Sequence, residues 1–149
     1  MSGAPGQTSN YLTPIGSPVS LETARKAATA AIAEARRNHW VMAVSVVDPS
    51  GTLVYFERMD DAQMASATVS LSKARSAALF KRPTKALQDA LAGGGVGLRV
   101  LALEGAVPVE GGVPLVVDGK LIGAIGLSGD QSENDGQCAA AGLRAIQHG

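Results

Sequence analysis

The stretch VPLVVDGKLIGAIGL, residues 113–127, decides the fold. Two apolar runs, Val113–Val117 and Lys120–Leu127, flank the pair Asp118-Gly119. Asp-Gly tolerates the left-handed backbone that a two-residue primed turn requires, so the stretch reads as a β-hairpin. A second one lies upstream. Val41–Val47 is β-branched and almost uniformly apolar, as a strand buried on both faces is. Asp48-Pro49-Ser50-Gly51 supplies a turn, with proline presetting its first position, and Thr52–Arg58 returns as the partner strand.

Around the hairpins the apolar period changes to that of helices. Ser20 stands at an N-cap position before Leu21–Asn38, whose Leu21, Ala24, Ala28, Ala31, Ile32 and Ala35 fall on one face. Met64–Phe80 repeats the pattern until Pro83 breaks it, Thr84–Ala92 forms a short further helix ended by glycines, and Glu133–Gln147 closes the chain. Leu98–Val109 reads as partly extended. The order α-β-β-α-α-β-β-β-α, with little sign of βαβ units, indicates an α+β domain whose antiparallel sheet of about five strands is flanked by helices. Residues 1–19, rich in Gly, Ser and Pro, read as a flexible arm, and 20–149 as a single domain.

The 149 residues carry 13 basic and 13 acidic side chains, so no large positive field invites nucleic acid. No apolar run approaches the roughly 20 residues that cross a bilayer. The first twenty residues lack the basic and apolar regions of a secretory signal, and Cys138 is the one cysteine. A cytoplasmic protein is expected. With 25 alanines, 18 glycines and 3% aromatic residues, each buried side chain contributes little area, which favours a homo-oligomer.

Few residues suggest chemistry. Cys138 lies on the apolar side of the last helix and reads as structural. His39, at the exit of the first helix, suits either the helix dipole or a ligand role, and His148 reads as tail. No spacing gathers a metal site. Gly93–Gly97 follows a helix and lacks the lysine of a phosphate loop. Gly123, Gly126 and Gly129 run through a strand into the turn Ser128-Gly129-Asp130, where helix N–H groups either receive an anion or are capped by Asp130 or Ser132. Lys73, Arg75, Lys81, Arg82 and Lys85 place five bases in thirteen residues. Residues 1–99 sum to +4 and 100–149 to −4, which suggests complementary faces. Arg58, beside Asp60 and Asp61, suits a bidentate carboxylate clamp or an internal ion pair.

Four segments in this order resemble the GlcG/HbpS-like family, which includes the C-terminal domain of PduO-type proteins. They are "ARKAATAAIAEA", "VSVVDPSGTLVYFERMDDA", "SLSKARSAALFKRPT" and "EGGVPLVVDGKLIGAIGLSGDQSENDGQCAAAGL", within residues 21–146. The resemblance implies a profilin-like fold, dimers or larger rings, and haem binding as the best-known property. It also implies a pocket near the sheet and subunit interface lined by Asp48, Arg58, Asp60, Lys73, Thr84, Ser128 and Asp135.

Two function classes follow. In one, the protein binds haem or another carboxylate-bearing ligand. Lys73, Lys81 or Arg82 would hold the propionates, His39 or the Thr84 hydroxyl would face the iron, and Arg58, Ser128 and Gly129 would complete the site. In the other, a cofactor-free catabolic enzyme, a tautomerase or other isomerase or a hydrolytic dehalogenase, acts on a small unsaturated oxo- or hydroxy-dicarboxylate from aromatic-compound degradation. Arg58 would clamp the carboxylate, Asp60 or Asp135 would move the proton, and Lys73 would polarise the enolate oxygen. A purely structural oligomer is the third reading.

Overall fold

A computed structural model describes residues 10–147. After a short 3-10 turn at Asn10–Leu12 come α1 (Leu21–Arg37), β1 (Ala43–Val47), β2 (Leu53–Arg58), α2 (Ser66–Phe80) and α3 (Thr84–Ala92). A 3-10 helix, Gly95–Ala102, leads to β3 (Gly112–Val117), β4 (Lys120–Ser128) and α4 (Ser132–Gln147). The four strands form one antiparallel sheet in the order β2-β1-β4-β3. The α+β class, the helical flanks and both hairpins follow the sequence.

The expected third strand of the C-terminal half is absent: Leu98–Val109 begins inside the 3-10 helix and continues without strand pairing among the described residues. Gly94 and Gly95, at φ +68° and +57°, wind the chain into that helix. The sheet therefore has four strands rather than about five. Part of the missing place is taken by the N-terminal arm. Where β1 ends, Leu121 of β4 accepts from Gly16 N and donates to Pro14 O, and Val19 N donates to Ile122 O, each at 2.8 Å. The stretch expected as an arm thus divides. Its first nine residues, like His148, lie outside the described residues, and Pro14–Val19 is hydrogen bonded to β4.

Two layers of unequal depth cover the sheet. On one face α1 and α4 enclose the main core, in which Ala24, Ala28, Ala31, Ile32 and Ala35 meet Val44, Val46, Ile125 and Leu127. On the other, α2 sits on a thin layer of Val47, Ala74, Ala77, Ala78 and Ala124. Alanine alone buries little, so the close approach rests on Gly126: a Cβ there would stand 2.1 Å from Ser70 O. Ser45 and Ser70 share a buried hydroxyl hydrogen bond at 2.8 Å in this layer. No described helix is long and apolar enough to cross a membrane.

Candidate functional site

The base-rich run from Lys73 to Lys85 disperses: Arg75 donates to Gly51 O, Lys85 pairs with Asp89 on the exposed side of α3, and the other three bases part company. Lys73 is only 2% exposed, on the sheet side of α2. Its Nζ donates to Leu127 O and to Asp135 Oδ2, both at 3.0 Å, passing Gly111 at the open end of the sheet. Asp135, also 2% exposed, accepts from Asp130 N at 3.1 Å through its other oxygen. Burial pushes the Asp135 carboxyl up from its ordinary value against the pull of the Lys73 charge and the Asp130 N–H. The pair ties α2 to α4 around the sheet edge. Asp130, expected as a cap of the last helix, instead donates its own N–H, in the turn ahead of α4, to the chain's own carboxylate.

Nearby candidates are equally enclosed. Thr84, fully buried, accepts from Gly112 N at 2.9 Å and fixes the start of α3 to β3. Ser128 is buried at the end of β4, and Gly129 follows where a Cβ would stand 2.3 Å from Val41 O. Asp48 lies in its own turn, accepting from Ser50 N and Thr52 N at 2.9 and 3.1 Å. Cys138 is buried, and desolvation pushes its thiol up to about 12. Arg58 and Asp60 are exposed at the end of β2, the Arg58 Nη1 reaching Met64 Sδ at 3.7 Å. His39 is exposed, in a left-handed conformation at φ +62° after α1. Lys73, Asp135 and Thr84 thus gather in one sealed cluster, while Arg58, Asp60 and His39 stand on the surface. Among the described residues no group of His, Cys, Asp and Glu suits a metal ion.

Lys81 and Arg82 go elsewhere. Lys81 ends α2 with a left-handed residue at φ +53°, and its Nζ donates to Thr13 O at 2.8 Å and Tyr11 O at 3.3 Å. Arg82 turns to the ring of Tyr11, its guanidinium carbon 4.4 Å from the centroid, while its Nε donates to Phe80 O at 3.0 Å. Arg82 and Tyr11 stand at one end of a groove of about 530 Å³ between α3 and the 3-10 helix. Ala86, Leu87, Ala90, Val96, Val100 and Leu103 make its walls apolar, and Arg99 adds a second guanidinium. The two walls touch through Gly97, whose Cβ would lie 1.9 Å from Ala90 O. The groove combines apolar surface with two cations, Arg82 held by Tyr11 and Phe80 and Arg99 exposed, which suits a flat ligand carrying carboxylates.

Sequence reasoning had Lys81 and Arg82 as ligand-binding but missed Tyr11 and Arg99. For Arg99 there was a signal: it is the single base between Lys85 and Lys120, set in an apolar run. Tyr11 was legible only as one of three large apolar residues in the arm, with Leu12 and Ile15, suited to docking on a neighbour.

The family model described as haem degrading protein, HbpS-like, matches residues 19–144. Protein GlcG of Escherichia coli (strain K12) is 41% identical over 95 residues, 64% of this chain and 69% of GlcG. Among solved structures, a double mutant of Streptomyces reticuli HbpS superposes with a TM-score of 0.80 at 28% identity, covering 98% of this chain and 99% of that one. The crystal structure of a PduOC:haem complex superposes with a TM-score of 0.77 at 32% identity, covering 87% and 95%.

Proposed function

This chain belongs to the HbpS-like family, and from that membership we propose that it binds haem, or another flat carboxylate-bearing ligand, in the groove between α3 and the 3-10 helix. The observation that carries the reading is the pairing of Arg82 and Arg99 with an apolar floor. Two guanidiniums match two propionates bidentately, and the alanine, valine and leucine side chains accept the face of a macrocycle. The haem held by the structurally similar PduOC supports the ligand class. Haem, when bound, brings an iron centre able to carry oxygen or electron chemistry. The protein's own residues hold its edge and shield its face. Tyr11 carries the one oxygen-donor side chain among the lining residues, and His39 lies outside the groove.

The proposal includes self-association, with the exposed apolar rim of the groove at a subunit contact, and a cytoplasmic location in keeping with a lone buried cysteine. The catabolic-enzyme reading gains no such support. Lys73 and Asp135 are sealed from solvent and satisfied by each other, whereas Arg58 and Asp60 stand exposed.

Titration of the protein with haem, followed in the Soret region, tests this. Saturable one-per-subunit binding is expected, weakened about ten-fold or more by Arg82→Ala or Arg99→Ala, the scale of a lost charged hydrogen bond. His39→Ala should bind as the wild type does. Binding that depends on His39 and ignores both arginines would place the ligand elsewhere.

A further inference from the structure

We propose that Tyr11 and Lys81 are positioning residues of the groove: the ring of Tyr11 orients the Arg82 guanidinium toward a ligand carboxylate, and Lys81 holds Tyr11 in place. The inference rests on the groove being the ligand site. An arginine offers five N–H donors in one plane. In Arg82, Nε is committed to Phe80 O, and one face is covered by the Tyr11 ring. Among the described residues none accepts from its two terminal nitrogens, so the fork that binds a carboxylate is left for a ligand in the groove that Arg82 lines. Without the ring, the long side chain would sample other rotamers and the fork would be fixed only when a ligand arrived.

Tyr11 is 62% exposed, and from Asn10 to Val19 the one helical turn is Asn10–Leu12. Lys81 ties this segment to the end of α2. Its ammonium binds the Tyr11 and Thr13 carbonyls, one on each side of Leu12, and clasps the arm by its backbone whatever its side chains. Gly16 and Pro14 then join the same segment to Leu121. The adjacent bases Lys81 and Arg82 thus meet the arm in two ways, one on its backbone and the other on its ring. Lys81 acts on the ligand through Tyr11, not by touching it.

The test compares haem with its dimethyl ester, which keeps the macrocycle and iron but lacks the carboxylates. Both are titrated against the full-length wild type, Tyr11→Ala, Tyr11→Phe and Lys81→Ala, with melting curves to verify folding. The wild type should prefer haem over the diester by about ten-fold. Tyr11→Ala and Lys81→Ala should lose most of that preference, to within about two-fold, by weakening haem and not the ester. Tyr11→Phe should keep it, since the ring remains. A preference intact in Tyr11→Ala overturns the proposal, and so does a Tyr11→Phe variant as impaired as Tyr11→Ala, because the hydroxyl would then be what acts. A wild type that binds neither probe, or both equally, removes the groove reading and this inference with it. Should Lys81→Ala fail to fold, the two Tyr11 variants decide alone.

Discussion

Asp48 and Asp135 both accept backbone N–H bonds, yet they respond to pH in opposite directions. The Ser50 hydroxyl and the N–H groups of Ser50, Thr52 and Gly51 hold the half-exposed Asp48 carboxyl below its ordinary value of 3.8. Its contribution is present above that value and is lost as pH falls through the lower folded value. Asp135 is the reverse case, since burial holds its folded pKa above the unfolded one. Its contribution is full below the unfolded pKa and declines as pH rises through the folded one. Unfolding free energies measured by urea across acidic pH should separate the two. Asp48→Asn should flatten the acid limb, and the double variant Lys73→Met with Asp135→Asn should remove a decline on its neutral side. At neutral pH, Asp135→Asn alone should cost about 3–5 kcal/mol, because Lys73 would keep a buried charge without its partner. The double variant should recover much of that loss, and a loss no smaller than the single variant's would show that the pair's hydrogen bonds to Leu127 and Asp130 carry the stability instead.

The glycines of β4 show what an element asks of single positions. A Cβ at Gly123 would stand 2.2 Å from Val47 O and one at Gly126 2.1 Å from Ser70 O, so the first lets β1 lie close and the second lets α2 settle on the sheet. Gly126→Ala must push α2 away from a layer made mostly of alanine, and should cost about 1–3 kcal/mol, read as a lower urea midpoint with the slope unchanged. The glycine spacing marked close approach in the sequence but not whether the neighbour was strand, helix or ligand. The hairpins were legible because their turns are local: Asp118 and Gly119 adopt φ +52° and +76°, as Asp-Gly permits. Ser20 likewise caps α1 through Thr23 N, at 3.1 Å. Leu98–Val109 was not, since a short apolar run suits several backbones and the left-handed glycines ahead of it decided the matter. The site divides in the same way. Its bases were visible as a run, but Lys73 meets a carboxylate 62 residues away and Lys81 an arm 68 residues away, and no local period encodes either encounter.

At the scale of the whole molecule, the 3-10 helix and the residue after it carry a run of exposed apolar side chains. Val96 and Leu101 are 72% and 68% exposed on the 3-10 helix, with Leu98 and Leu103 beside them and the groove running behind. A patch of this kind on a domain with so little aromatic bulk favours burial against another copy, which the opposite charges of the two chain segments would help to align. Leu101→Glu sets a charge in that patch without touching the sheet, and it should shift the sedimenting species toward the 15.1 kDa of one chain. The wild type should sediment as a multiple of that mass. If haem affinity falls together with the mass, the groove is completed by the neighbouring subunit. If affinity holds while the mass falls, Arg82, Arg99 and the arm form the site within one chain, and association protects the apolar rim. A wild type already at the mass of one chain would mean that the rim stands open in solution, and self-association would have to be given up.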